Sequence, residues 1–470
     1  MPPEHSAHPD PRREFALNVV RQLREAGFHA LWAGGCVRDQ LLGKEPKDYD
    51  VATNALPDDV IRTFGERRTV PVGAAFGVVM IPGPTKRHGQ VEVATFRSDG
   101  QYLDGRRPES VRFCSPEEDA QRRDFTINGM FFDPISQTVL DFVGGQSDLQ
   151  QHLIRAIGDP KARFNEDRLR MLRAVRFAAT FAFALDPQTL LAIQQQCSQI
   201  HSVSVERILQ ELRRMLAHPS RATALQLLKD SQLLPEILPE LAPGLDDPTA
   251  LQLTLRTLQN LESVHFEPAF AILLLPLHQS PSQSRHRLTP TQQLCRRLKM
   301  SNDEIDTVTW LLDSLPLLHQ LATKPLHIRK TLLAHPHTPL LLAVAAALDI
   351  AAARTPDDSS FAWHFLANTP PAQLNPPHLI NGSDLLAAGL KPGPQIRQIL
   401  ETVRIAQLDE QLQSRHAALE LAHHLIANPH PASTTPTHSN STHSNSNSSS
   451  TTTTTGTSNT PFNDAESSNR

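Results

Sequence analysis

The chain has 470 residues, 39% hydrophobic and 5% aromatic, with a formal net charge of −4. That length allows about three domains with aliphatic cores, and the near balance of charge excludes a globally basic nucleic-acid binder, so any RNA contact must come from local patches. Four scattered cysteines (Cys36, Cys114, Cys197, Cys295) exclude a disulfide framework or a zinc site. The longest apolar run, Leu340 to Leu348, is far short of a membrane span, which fits a cytoplasmic protein with no membrane partner.

Residues 1–12 read as a loose leader, with charges and prolines but no apolar signal core. Phe15, Val19, Leu23 and Ala26 recur at helical spacing over residues 13–26, and Gly27 stops the helix. His29 to Ala33 and Asp48 to Ala52 predict the first two strands, and Pro57 to Phe64 a helix with proline and acids in its first turn. Val70 to Ile81 and Val91 to Phe96 predict further strands, which makes residues 13–145 a small α/β head.

From residue 146 the pattern turns helical, with helices expected over Arg168–Phe183, Val205–Ala217 and Ala222–Asp230. The divisions expected are a neck over 146–230, a body over 231–378 and a helical tail over 379–429, where Gly389-Leu-Lys-Pro-Gly-Pro394 opens a long polar helix. Residues 280–300 carry five Lys/Arg and no acid. Residues 430–470 are Ser/Thr/Asn-rich, a composition that does not build a core. The expected class is α+β, an α/β head followed by all-helical neck, body and tail.

The stretch Leu31 to Thr53 concentrates chemistry. An apolar strand runs into Gly34-Gly35 and a short helix, and Asp48 and Asp50 follow. Two carboxylates two residues apart on a strand share a face, an expensive like-charge pair unless a cation joins them. Hard oxygen ligands suit Mg2+. Bare N–H groups at the Gly34-Gly35 turn suit a phosphate, and Arg38, at the start of the helix, can reach it. Asp39 would fix that arginine or cap nearby amides. Metal beside a phosphate cradle reads as phosphoryl or nucleotidyl transfer; a βα turn and a solvated acidic loop is the plain alternative for either half alone.

Further on, Gln121-Arg-Arg-Asp-Phe-Thr-Ile-Asn-Gly-Met130 leads into a buried strand, and Asn165-Glu-Asp-Arg-Leu-Arg-Met-Leu-Arg-Ala-Val-Arg-Phe177 sets Asp167, Arg170, Arg173 and Arg176 three apart, a shared helix face. A carboxylate accepts and a guanidinium only donates. Cytosine and adenine each present an amino donor beside a ring-nitrogen acceptor, whereas guanine and uracil present the reverse. Asp167 with Arg170 would therefore admit C and A, and a mismatch would leave polar groups unmet at about 1–3 kcal/mol each. An i,i+3 surface salt bridge is the ordinary alternative for any one pair.

GGCVRD with PKDYDVAT, RRDFTINGM and EDRLR together resemble the class II branch of the DNA polymerase beta-like nucleotidyltransferases, which contains CCA-adding tRNA nucleotidyltransferases and bacterial poly(A) polymerases. The resemblance covers residues 28–230 and, more weakly, 379–425; residues 240–370 match no named module, and no His-Asp pair of a phosphohydrolase is evident there. It implies that Asp48, Asp50 and Glu92, the last from VEVATFR, hold two Mg2+ ions and are the catalytic carboxylates. Gly35, Arg38, Arg123, Asp124, Asp167, Arg170, Arg173 and Arg176 would bind nucleotide, Arg123 and Asp124 at the ribose, where Asn128 braces the loop. Leu140-Asp-Phe-Val-Gly-Gly145 would be a hinge, and Ser204 to Leu212, with Glu206, Arg207 and Glu211, a structural tie between neck helices.

Within that branch, Gly73-Ala-Ala-Phe-Gly77 resembles the CCA-adding form, whereas poly(A) polymerases carry a Gly-Arg-Arg-Phe-Arg-like strand. Residues 97–108 correspond to the family's flexible loop, which CC-adding enzymes lack. The implied activity is addition of CCA to tRNA 3′ ends from CTP and ATP, with the tRNA acceptor arm as partner, held through shape and backbone by the helical parts, the 280–300 segment and Lys391. An A-adding enzyme, a poly(A) polymerase and a non-catalytic RNA-binding relative are the alternatives.

Overall fold

A computed structural model describes residues 10–73, 77–99, 111–278 and 288–428. The head begins with α1 (Pro11–Glu25), two residues before the expected start, because Asp10 caps it through the Arg12 N–H at 3.0 Å. There follow β1 (Ala30–Ala33), α2 (Gly35–Leu41), β2 (Tyr49–Thr53), α3 (Pro57–Phe64), the hairpin β3 (Val70–Gly73) and β4 (Val78–Pro82), and β5 (Gln90–Thr95). The short antiparallel pair β6 (Arg97–Asp99) and β7 (Val111–Phe113) precedes α4 (Pro116–Gln121), β8 (Phe131–Asp133), β9 (Thr138–Leu140) and α5 (Gly145–Gln150).

One seven-stranded sheet, ordered β3-β4-β5-β2-β1-β8-β9, organises the head. Strand alternation sends its side chains two ways. Trp32, Tyr49, Val51, Val91 and Val93 point into the core beneath α1 and α3. Leu31, Ala33, Ala52 and Phe131 point to the other face, where Ala120 of α4 and Phe96 cover them. Asp50 and Glu92 belong to that second face, each between two core-facing neighbours. Asp48 precedes β2, so only Asp50 of the pair lies in the strand.

Two two-residue strands that periodicity did not predict, β10 (Leu153–Ile154) and β11 (Ala184–Leu185), pair in parallel after the head. Between them α7 (Leu169–Phe181) forms the helix expected over Arg168–Phe183, and α6 (Pro160–Glu166), which the pattern did not predict, precedes it. α8 (Pro187–Gln196), α9 (Val205–Leu216) and α10 (Arg221–Asp230) continue the neck, and α7 packs against α9 and α10. Helices Pro248–Asn260, Phe266–Leu274, Asn302–Leu318 and Thr338–Ala351 extend the same aliphatic core. No single helix among the described residues is long and apolar enough to cross a membrane.

The chain divides into two compact units. One runs to His378 and takes in Leu408–Gln411; the other holds Leu379–Gln407 and resumes at Leu412. The second builds a small core from Ile380, Leu385, Ile399, Val403, Ala418 and Ala422, with helices Gly382–Ala387, Pro394–Leu408 and Arg415–Ala427. Several expectations fall outside the described residues: most of the 1–12 leader, Phe76 of the Gly73–Gly77 stretch, the greater part of the 97–108 loop, the start of the 280–300 basic segment and the 430–470 tail.

Candidate active site

A cleft of about 500 Å³ opens between the second face of the sheet and α7. Gly34, Gly35, Arg38 and Asp50 line it from the head, Arg122, Arg123, Asp124 and Asn128 from the segment after α4, and Asp167, Arg170, Arg173, Arg176 and Phe177 from the neck. Nine of the eleven residues singled out from sequence thus meet in one place. Asp48 and Glu92 are not among the lining residues. Glu92 is the direct cross-strand partner of Asp50 in the parallel β2–β5 ladder, and Asp48 is two residues before Asp50.

Gly34 caps α2 at φ +72°, and a Cβ there would sit 3.1 Å from Nη1 of Arg123. Only glycine meets both demands. The turn therefore brings bare backbone against a guanidinium at the floor of the cleft.

The Asp50 side chain opens on the cleft. Surrounding protein nonetheless desolvates its carboxyl, and the Glu92 and Asp48 charges add to that; together they push it up to about 6 against the pull of Arg123. This donor set, hard carboxylate oxygens crowding one another, has the chemistry that a divalent cation relieves. Among the described residues, however, no three such side chains already converge on one point. Asp50 and Glu92 supply two carboxylates on one face, and an ion would have to draw in the third.

Arg38 is buried. Its Nη1 donates to Asn128 Oδ1 at 2.6 Å, its Nε to Asp39 Oδ1 at 2.9 Å, and it stacks over Phe181. Of the two roles open to Asp39, the structure has the pairing with Arg38. Asp124 is held from both sides: Asn128 Nδ2 and the Phe125 N–H donate to Oδ1 at 3.0 and 2.8 Å, and Arg173 donates to Oδ2 through Nε and Nη2 at 2.9 and 2.6 Å. Burial alone would raise its pKa, yet Arg173 and Asn128 hold the carboxyl down at about 2. Arg173 is thus tied to Asp124, and Arg176 to Glu211 of α9.

Asp167 corrects the sequence reading. It does not share a helix face with Arg170, because it lies at φ −145°, ψ 104° in the break between α6 and α7. There its Oδ1 accepts the Leu169 N–H at 3.1 Å, starting α7, and its Oδ2 accepts Nη2 of Arg207 at 2.8 Å. Arg207, expected to be a tie between neck helices, links α9 to the start of α7 through this aspartate. Arg170 donates to Glu166 and to the backbone carbonyls of Arg163 and Arg122. Those bonds use three of its five N–H donors and leave two for a ligand; each Asp167 oxygen likewise keeps a second lone pair. Acceptor and donor are fixed by their surroundings rather than by helical spacing.

Phe177 was not foreseen. Arg176 lies 4.1 Å from its ring centroid, with Arg173 and Arg38 at 5.2 and 5.4 Å. A phenylalanine four residues after an arginine on an amphipathic helix reads as core, and only the head's Arg38 reveals it as a cation platform. With six arginines and three aspartates in its lining, the cleft is suited to a polyanion such as a nucleoside triphosphate.

Comparison with known proteins agrees with this architecture. Residues 30–155 match the poly A polymerase head domain, 182–245 the RNA and SrmB-binding site of polymerase A, and 269–422 tRNA nucleotidyltransferase domain 2. The last of these covers much of the stretch that carried no named module from sequence. The CCA-adding enzyme of Limosilactobacillus fermentum is 34% identical over 408 residues, 86% of this chain and 95% of that protein. The chain belongs to the CCA-adding enzyme family. The enzyme of Geobacillus stearothermophilus is 43% identical, over 47% of this chain and 54% of its own length, so that match spans about half of the relative. The crystal structure of the Bacillus stearothermophilus CCA-adding enzyme in complex with CTP superposes with a TM-score of 0.72 at 28% identity, covering 90% of this chain and all of that one. A Thermotoga maritima CCA-adding enzyme complexed with tRNA shares the fold, at a TM-score of 0.59 and 19% identity.

Proposed function

We propose that this protein adds CCA to the 3′ ends of tRNA in the cytoplasm, taking CTP twice and then ATP and releasing pyrophosphate each time. The observation that carries the reading is family membership over nearly the whole length of a CCA-adding enzyme, joined to a cleft that holds six arginines, Asp50, Asp167 and Arg170 together.

In each cycle the tRNA 3′-hydroxyl oxygen attacks the α-phosphorus of the nucleotide. A new O–P bond forms, the hydroxyl proton passes to water, the bond to the β-phosphate oxygen breaks, and pyrophosphate leaves with its electron pair. Asp50 and Glu92, with Asp48, would hold Mg2+, which would lower the pKa of the attacking hydroxyl and neutralise charge on the leaving group. Arg38 and Arg176 around Phe177 would orient the triphosphate, and Arg123 at the Gly34 turn would meet the ribose. Asp124, whose lone pairs are engaged by Asn128, the Phe125 N–H and Arg173, would exchange one of these bonds to accept from the ribose 2′-hydroxyl, a group absent from deoxynucleotides. Asp167 would accept the amino hydrogen of cytosine or adenine while Arg170 donates to the adjacent ring nitrogen. The helical parts would hold the acceptor arm by shape and phosphate contacts.

The deciding experiment is incubation of the purified protein and Mg2+ with tRNA lacking CCA, offering CTP and ATP singly and together. The reading expects CC from CTP alone and CCA from both. Long A tails on unrelated RNA would replace it with a poly(A) polymerase, extension of tRNA ending in CC alone with an A-adding enzyme, and no incorporation with a binding protein.

A further inference from the structure

Behind the cleft, Asp119 is a carboxylate to which no role has been given. It sits on α4 and is 1% exposed. Its Oδ1 accepts the backbone N–H of Arg97 at 3.1 Å and Nε of Arg122 at 2.8 Å; its Oδ2 accepts Nη2 and Nε of Arg123 at 2.9 and 3.2 Å. Arg122 Nε also donates to the Arg97 carbonyl at 2.8 Å. The first residue of β6 is thereby gripped at both its N–H and its C=O, and Arg97 is itself in register with Phe113 of β7. From this one point two contacts enter the cleft. Arg123 continues to the Gly34 turn, on the side of Asp50. The Arg122 carbonyl receives Nη2 of Arg170 at 3.1 Å.

A buried carboxylate between two guanidiniums is a poor device for stability alone, since well-packed apolar side chains serve as well or better; the neighbouring Ala120 already covers the sheet in that way. What the carboxylate adds is direction. One oxygen fixes Arg122 and β6, and the other fixes Arg123.

We propose that Asp119 is a positioning residue for nucleotide transfer, joining the β6–β7 strand pair to Arg123 at the reacting end of the cleft and to Arg170 at the base-reading end. The proposal rests on the nucleotidyltransfer reading above. Displacement of Asp119 would therefore disturb rate and base choice together, although it touches neither nucleotide nor tRNA.

The test uses the full chain with tRNA lacking CCA, measuring kcat and KM for CTP, the ratio of UTP to CTP incorporation, and thermal unfolding. Asp119→Asn keeps the acceptor for Arg97 but turns an amide donor toward a guanidinium. Its expected effect is about a ten- to hundredfold loss of kcat/KM with a raised UTP share, measured below the unfolding range. An unchanged UTP share, or a loss no larger than the unfolded fraction explains, overturns the proposal. If Asp119→Asn does not fold, Arg122→Lys reads the same link: lysine keeps the charge but cannot serve Asp119 and the Arg97 carbonyl with a planar fork. A raised UTP share then supports the proposal and an unchanged one overturns it. Failure of the unmodified protein to incorporate CTP would instead refute the underlying activity.

Discussion

On the head side of the cleft, Asp50 and Glu92 face each other across β2 and β5 with Asp48 close by, and no ion pair engages them among the described residues. On the α7 side each acid meets a guanidinium: Asp124 with Arg173, Asp167 with Arg207, Glu166 with Arg170, Glu211 with Arg176. The first wall stores like-charge repulsion that a cation relieves. The second is already compensated, so its groups keep their places and offer only their remaining donors and lone pairs. One wall is suited to a change of charge during reaction, the other to reading a shape that stays constant.

The contrast can be broken most severely at Asp50. Asp50→Ala is expected to lower single-turnover CTP incorporation by on the order of 10³-fold, while thermal unfolding without divalent ions stays the same or improves because a like charge has gone. A variant that keeps its activity would remove the chemistry from this wall.

Arg173→Met should do the opposite, leaving Asp124 buried and unpaired. A loss of about 3–5 kcal/mol in urea unfolding is expected. In the unmodified chain the Asp124 carboxyl lies at about 2, below its unfolded value. It therefore contributes stability that is full above about pH 4 and is lost as the pH falls toward 2, about 2 kcal/mol in all. The variant should lack that acid-sensitive component; the same pH profile in both proteins would rule the pairing out as its source.

Asp167→Ala is expected to reduce preference for CTP over UTP by about ten- to hundredfold, with Mg2+ dependence untouched. Retained preference would mean that something other than this pair reads the base. The smallest effect concerns Mg2+ binding in solution. Because Asp50 is pushed up to about 6, protons compete with the ion at pH 5.5, and Mg2+ should raise the unfolding temperature more at pH 7.5. Equal shifts at both pH values would take Asp50 out of the ion's ligand set.

Some of this was readable from local pattern. α3 occupies the residues its proline and acids indicated, and Gly34, Asp50, Arg123 and Arg170 sit in one cleft as their motifs implied. Patterning failed where the outcome depended on distant partners. The spacing in EDRLR predicts a helix through Asp167, yet its carboxylate accepts the first N–H of the next helix and meets Arg207, 40 residues away. Arg173 finds Asp124 at a separation of 49 residues. Spacing tells which residues share a face; it does not tell where a long side chain ends.

Alternation, turn chemistry and residue type were sufficient to specify the sheet–turn–helix head, the helical remainder and the kind of ligand the chain could take, since these follow from neighbours along the backbone. Packing of α4 on one face of the sheet, and of α7 against α9 across the cleft, decided that Asp119 grips Arg123, that Arg207 braces Asp167 and that Asp50 stands unpaired beside Glu92. Charge pairing acts across a few ångströms of space, and residues that far apart in sequence become neighbours only when the fold closes.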